Sequence, residues 1–315
     1  MSTATEVPET YRRRGDDPLD ALKGVGWGRL ARDSLERFRS ADGFSHSRAL
    51  GYQITLTALP ALIASVGLAA VIDWGGLKQA LRSFLVTIAP GQAGGVFTKA
   101  LEQGSESGGN ALALGLLAAL VSGTFAMAQI ERGANRIYGI EKDRSTAQKY
   151  LLAFLLAITV GVLNLAAFVV LVAGPSIADA GEAGGWSDSL LTAWQIARWP
   201  VGILLAVGGF ALLFKRSPKR NQPRAPWLAV GSAVSVLSWF VSTGALGLYL
   251  SASSGFGETY GPLAGMVGVL LWAFLSSVAL YVGLAVAAQL EAVRAGAPEP
   301  STDAETNPRG QLSRA

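Results

Sequence analysis

The stretch "ALALGLLAALVSGTFAMAQIERGANRIYGIEKDR", residues 111–144, holds twenty residues without a charge, then fourteen of which seven are charged. Twenty apolar residues in a helix cover roughly 30 Å, the thickness of a bilayer's hydrocarbon core. The abrupt return of charge at Glu131 reads as the point where the chain leaves the membrane. A basic run can also be a nucleic-acid footprint, so the decision rests on whether other segments repeat this construction.

Six segments do. They cover 49–72, 111–130, 150–173, 190–214, 226–250 and 262–290, and they predict an all-α polytopic membrane bundle. Composition agrees: half of the 315 residues are hydrophobic, 15% are charged and the mean hydropathy is +0.37. Soluble domains carry about a quarter of charged residues. The charge is also segregated, because residues 1–48 hold seventeen charged side chains.

Lys and Arg near span ends stay on the cytoplasmic side. Twenty-two of the 26 basic residues fall before span one, between spans two and three, between spans four and five, or in the tail. The other side has Lys78, Arg82, Lys99 and Arg198. The asymmetry predicts a multi-pass membrane protein with both termini in the cytoplasm. The patch at 131–144 and the run "KRSPKRNQPR" at 215–224 are then membrane exits, and no nucleic-acid partner is expected.

Residues 1–25 and 295–315 lack apolar periodicity and read as disordered cytoplasmic ends, leaving residues 26–294 as the membrane domain. In "WGRLARDSLERF" an apolar stripe from Trp27 through Leu35 to Phe38 opposes Arg29, Arg32 and Arg37. Such a helix lies in the membrane interface with its arginines on anionic headgroups, or packs on the bundle. "LKQALRSFLVTIA" at 77–89 repeats the pattern in the first outer loop.

With no cysteine and one histidine, His46, the chain has no disulfide framework or Cys/His metal centre, and neither metal nor cofactor is expected. The ionisable residue inside a span is Arg198, either at mid-depth holding an anionic group or snorkelling to the outer surface. Gln53 and Asn164 are polar groups within spans. Ser232, Ser235, Ser238 and Ser242 share a face of span five, as a close-packing surface or as a cavity lining. Pro60 and Pro200 remove backbone hydrogen bonds and predict kinks.

Several motifs together resemble the YihY/BrkB family of bacterial inner-membrane proteins, from about Leu35 to Arg294. They are "GYQITLTALP" with Tyr52 and Pro60, "NRIYG" with Asn135, Arg136, Tyr138 and Gly139, "RWP" with Arg198 and Pro200, Trp239, "TYG" with Tyr260 and Gly261, and Trp272. The family's sixth span typically carries a Glu and an Asn where Ala285 and Ala287 stand here. The resemblance implies a non-enzymatic membrane protein associated with envelope properties. The ribonuclease name often attached to the family implies metal ligands that this composition lacks. The expected function is transport or flipping of a lipid or other amphiphilic envelope component, with Arg198, Tyr52, Gln53, Asn164, Ser235, Ser238, Trp239 and Trp272 as candidate cargo contacts. The rival expectation is a scaffold that recruits envelope-assembly proteins.

Overall fold

A computed structural model describes residues 3–13, 17–72, 79, 108–252 and 263–302. Two helices, α1 (Pro18–Val25) and α2 (Trp27–Ser40), precede the six spans. The spans are α3 (Gly43–Val71), α4 (Gly108–Ile137), α5 (Thr146–Leu171), α7 (Asp188–Arg216), α8 (Ala225–Ala252) and α9 (Ala264–Ala295). Each is long and apolar enough to cross a membrane. Several run past the apolar segment at the end where the basic loops lie, called here the basic end. Hydropathy stops at the first charges there, but Arg, Glu and Lys are good helix formers and the helix continues. Between α5 and α7 lies α6 (Gly174–Ala183), an extra helix with Pro175 in its first turn, a position where proline's missing N–H costs nothing. The helical assignment continues through Pro60 in α3 and Pro200 in α7.

The spans pack in a ring. Each rests chiefly on its sequence neighbours, α9 closes onto α3, and α9 also touches α4. Small residues permit the closest approaches. A Cβ at Gly115 would lie 2.5 Å from the Ala64 backbone nitrogen, joining α3 to α4, and one at Gly283 would collide with Ser235 Oγ, joining α8 to α9. Ser232 and Ser235 are fully buried in this region, so at these two positions the serine face of span five packs a helix and does not line a cavity.

Packing is uneven along the spans. The main core cluster draws on Leu50, Ile130, Phe214, Leu228, Tyr281 and Leu284 in the halves nearer the basic end, and on Val160 close to the middle of α5. At the opposite end the described core is a small cluster of Val66, Ala69 and Ala173. In α8 no residue from 237 to 250 is buried.

The described terminal residues differ from the disordered ends expected. Residues 3–10 form an extended strap across the basic end, with Val7 and Thr10 buried. The strap meets the segment after α9 through a bridge between Ala4 and Ser301. An extended strap has no helical period, so periodicity does not find it; residues 303–315 lie outside the described set. In α2 the faces are rotated from the expectation. Leu30, Asp33, Ser34, Arg37 and Phe38 are buried against the bundle, while Trp27 and Leu35 are exposed beside Arg32 and Arg39. The loop helix expected at 77–89, and the motif residues Tyr260 and Gly261, also fall outside the described residues.

Gly115→Ala should destabilise the detergent-purified protein by about 1–3 kcal/mol, because the added methyl meets fixed backbone. Gly161→Ala, whose Cβ would meet nothing within 4 Å, should leave the melting temperature unchanged or slightly raised. Equal melting temperatures for the two variants would contradict the close α3–α4 contact.

Candidate functional site

The sequence-derived cargo candidates do not converge. Tyr52 is 58% exposed on the same face as Leu56 and Leu59, both exposed, which makes an apolar outward strip of α3; Gln53 beside it is half-buried. Ser235 donates to the Leu280 carbonyl at 3.3 Å, and Trp239 Nε1 donates to Ser276 Oγ at 3.0 Å. Trp272 meets the Trp239 ring edge-on at 6.5 Å. These contacts pin α8 to α9, with Ser238 half-buried beside them.

Arg198 sits at the level where α5 ends, because α7 begins several turns beyond that point. Its stem packs on Gly174, the first residue of α6, and its guanidinium lies 5.4 Å from the Trp199 ring centre. Its buried Nε has no hydrogen-bond partner. Asn164 is different. On one face of α5, Val160 and Ala167 are buried, yet Asn164 between them is exposed. Asn164 lies roughly 8 Å from the middle of α5 towards the end opposite the basic loops, at about 1.5 Å per residue.

The densest constellation lies at the basic end. Arg37 is fully buried. Its Nε donates to Gln289 Oε1 at 2.8 Å, Nη1 to the carbonyls of Thr5 at 2.9 Å and Ile137 at 3.3 Å, and Nη2 to Thr5 Oγ1 at 3.1 Å and the Glu299 carbonyl at 3.3 Å. One side chain thus ties the strap, α4, α9 and the segment after α9. Burial lowers its pKa to about 10, so it stays charged at neutral pH. The carbonyl of Ile137, at the negative end of α4, is a suitable acceptor.

A second node is the buried pair of Arg220 and Glu291, 2.8 Å apart. Glu291 Oε1 also accepts from Thr10 N and Thr10 Oγ1, and Arg220 donates to the carbonyls of Val7 and Pro8. The Arg220 guanidinium lies 4.6 Å over the ring of Tyr138. Burial pushes the Tyr138 phenol well above its ordinary value. A third node joins the two basic loops. Asn135 donates to Asp143 at 2.8 Å and accepts the Lys219 N–H at 2.8 Å, while Arg144 pairs with Glu131 at 3.2 Å and reaches the Ser217 carbonyl at 2.7 Å.

"NRIYG" is the shared part of this clasp. Asn135 joins the loops and Tyr138 stacks under Arg220. Gly139 has φ +72°, and a Cβ there would lie 2.6 Å from the Glu6 backbone, so both its conformation and the strap's approach require glycine. Beside the motif, a cleft of about 560 Å³ opens between Asp42 and His46 on one wall and Arg136, Gly139 and Glu141 on the other. Sequence reasoning missed Arg37, Arg220, Glu131 and Glu291 as a unit. Arg37 was assigned to the outward face, and its partners lie up to 262 residues away. The one available signal was its spacing of seven and three from Leu30 and Ser34.

The virulence factor BrkB family profile matches residues 34–308. The chain belongs to this family. At 25% identity over 254 residues, covering 80% of this chain and 91% of the relative, it resembles the ribonuclease-like protein YfkH of Bacillus subtilis. UPF0761 membrane proteins of Chromohalobacter salexigens and Azoarcus are 23% and 25% identical over 83% and 82% of the chain. The chain spans 63% and 62% of those two BrkB-type relatives. No solved structure matches. At the positions where the family carries Glu and Asn, Ala285 and Ala287 are buried in the core, and the nearby Gln289 and Glu291 are committed to the clasp.

Arg37→Leu leaves four residues' acceptors without their donor and should lower stability by on the order of 3 kcal/mol or more. It should also make the N-terminal strap the first site of limited proteolysis; a strap as resistant as the wild type's would contradict this role. Asp143 gives a pH test. Burial alone would raise its pKa, but hydrogen bonds from Asn135 and Lys149, with the charges of Lys149 and Arg136, bring it below the ordinary 3.8. A depressed folded value gives stability that is complete above 3.8 and is lost as pH falls through the folded value. Asp143→Asn should therefore lower the melting temperature near neutral pH, and the gap from wild type should shrink in acid below about pH 4.

Proposed function

We propose that the chain lies in the bacterial cytoplasmic membrane with its basic end and both termini in the cytoplasm, and that it moves an amphiphile, a lipid or lipid-linked envelope precursor, across that membrane. The observation that carries this reading is the asymmetry of packing. Among the described residues, the main core cluster and the clasp lie towards the basic end, whereas the other half has fewer buried residues and exposes Asn164 on an otherwise buried face. That arrangement suits an outward-open vestibule closed below by a polar gate. The centres of the spans carry no Asp or Glu, so the carboxylate relay of a proton-coupled pump is missing. This favours an amphiphile, which keeps its tails in lipid and needs only its headgroup accommodated.

The ribonuclease in the name of YfkH is a description of that relative. Metal-assisted hydrolysis needs converging His, Asp or Glu ligands, and among the described residues no three such side chains do so. The buried face of α2 anchors it to the bundle and leaves Trp27, Leu35, Arg32 and Arg39 to the membrane surface, where anionic headgroups complement the arginines.

The chain has no cysteine, so Asn164→Cys provides one chemical handle. In sealed vesicles with the outer face exposed, a membrane-impermeant maleimide should label this variant and leave Val160→Cys unlabelled. The labelled protein should then move a fluorescent phospholipid between leaflets more slowly than the unlabelled one. No labelling at 164, with labelling of a Trp186→Cys control, removes the vestibule. Labelling without any lipid movement favours the scaffold, to be sought by cross-linking through the basic loops.

A further inference from the structure

We propose that the cleft beside "NRIYG" binds the phosphoethanolamine headgroup of a zwitterionic phospholipid in the near leaflet. The cleft's depth in the membrane comes from α2. That helix lies across the basic end with Trp27 and Leu35 exposed, the pattern of a helix seated at the headgroup boundary. The chain turns from α2 into α3 through Ala41 and Asp42, and Asp42 is part of the cleft wall. Headgroups are the chemistry available at that level.

The lining has both signs of charge. Arg136 and His46 are cationic or hydrogen-bond donating, and Asp42 and Glu141 are carboxylates exposed to the cleft's surroundings. His46 lies within the electrostatic reach of Asp42, Arg136 and Arg132. Its Nδ1 is 3.3 Å from Gln129 Nε2. An amide nitrogen only donates, so Nδ1 accepts and the neutral ring carries its hydrogen on Nε2. Arg136 and that N–H match a phosphate; Asp42 and Glu141 match a primary ammonium. A purely anionic headgroup would meet two carboxylates, and a choline would offer them no N–H.

Asp42 adds a second observation. It is the one non-glycine residue with positive φ among those described, at 55°. It occupies the N-cap position of α3 without a side-chain cap bond, although Asp is a favoured capping residue. Asp tolerates this conformation, and with no cap bond made its exposed carboxylate is left facing the cleft.

The site is independent of lipid movement, and its test has its own readout. Full-length purified protein, delipidated in detergent, is titrated by native mass spectrometry with lysophosphatidylethanolamine, lysophosphatidylglycerol and lysophosphatidylcholine of one acyl length, and with free phosphoethanolamine. The ethanolamine lipid should bind on the order of tenfold tighter than the other two, the value of a charge-assisted hydrogen bond. The double variant Asp42→Asn, Glu141→Gln should abolish that preference, and Arg136→Gln should weaken all three lipids. Asn tolerates the left-handed conformation, so Asp42→Asn alone, checked by its melting curve, guards against misfolding as the explanation. Equal binding of the three lipids, a preference surviving the double variant, or free phosphoethanolamine binding as tightly as its lysolipid would each overturn the proposal. A retained preference in a protein that moves no lipid would leave this site standing and sink the transport reading.

Discussion

The buried guanidinium of Arg37 is the constraint on which the basic end depends. A charge removed from water must be answered by several acceptors, or the group does not stay buried and charged. Here the acceptors are supplied by the strap, α4, α9 and the segment after α9. Residues 3–10 and the segment 296–302 lie against the bundle, where Arg37 takes the carbonyls of Thr5 and Glu299. Arg220 repeats the arrangement with the carbonyls of Val7 and Pro8 and the carboxylate of Glu291.

The basic loops therefore have two consequences. Their abundance gives the charge asymmetry from which an orientation is read, and their individual side chains tie the bundle together at one end. Breaking a buried ion pair costs about 3–5 kcal/mol, whereas a well-packed apolar replacement is often neutral. Retaining charge here suits an element that opens and closes, because polar contacts can exchange protein partners for water while a hydrophobic plug cannot.

The family motifs acquire different meanings in three dimensions. "NRIYG" is a structural hub beside a cleft, while the serine face and the Trp239–Trp272 pair hold α8 against α9. Asn164 gained weight because exposure on a buried face is a property of packing, invisible in its immediate sequence. Arg198 is level with the end of α5 because α7 extends well beyond α5, and relative helix height does not follow from hydropathy.

By itself the sequence determined the six spans, the all-α class, the segregation of basic residues and the family motifs. Each of these is local or additive: a span needs about 20 apolar residues, and orientation depends on a count of charges. Only the tertiary structure decided that Arg37 points inward, that residues 3–10 form a strap, that Glu291 pairs with Arg220, and that Asn164 is exposed on a buried face. Those features join residues as far as 262 positions apart. Their energy comes from desolvation and from geometry across the bundle, and neither is encoded in the pattern of any single segment.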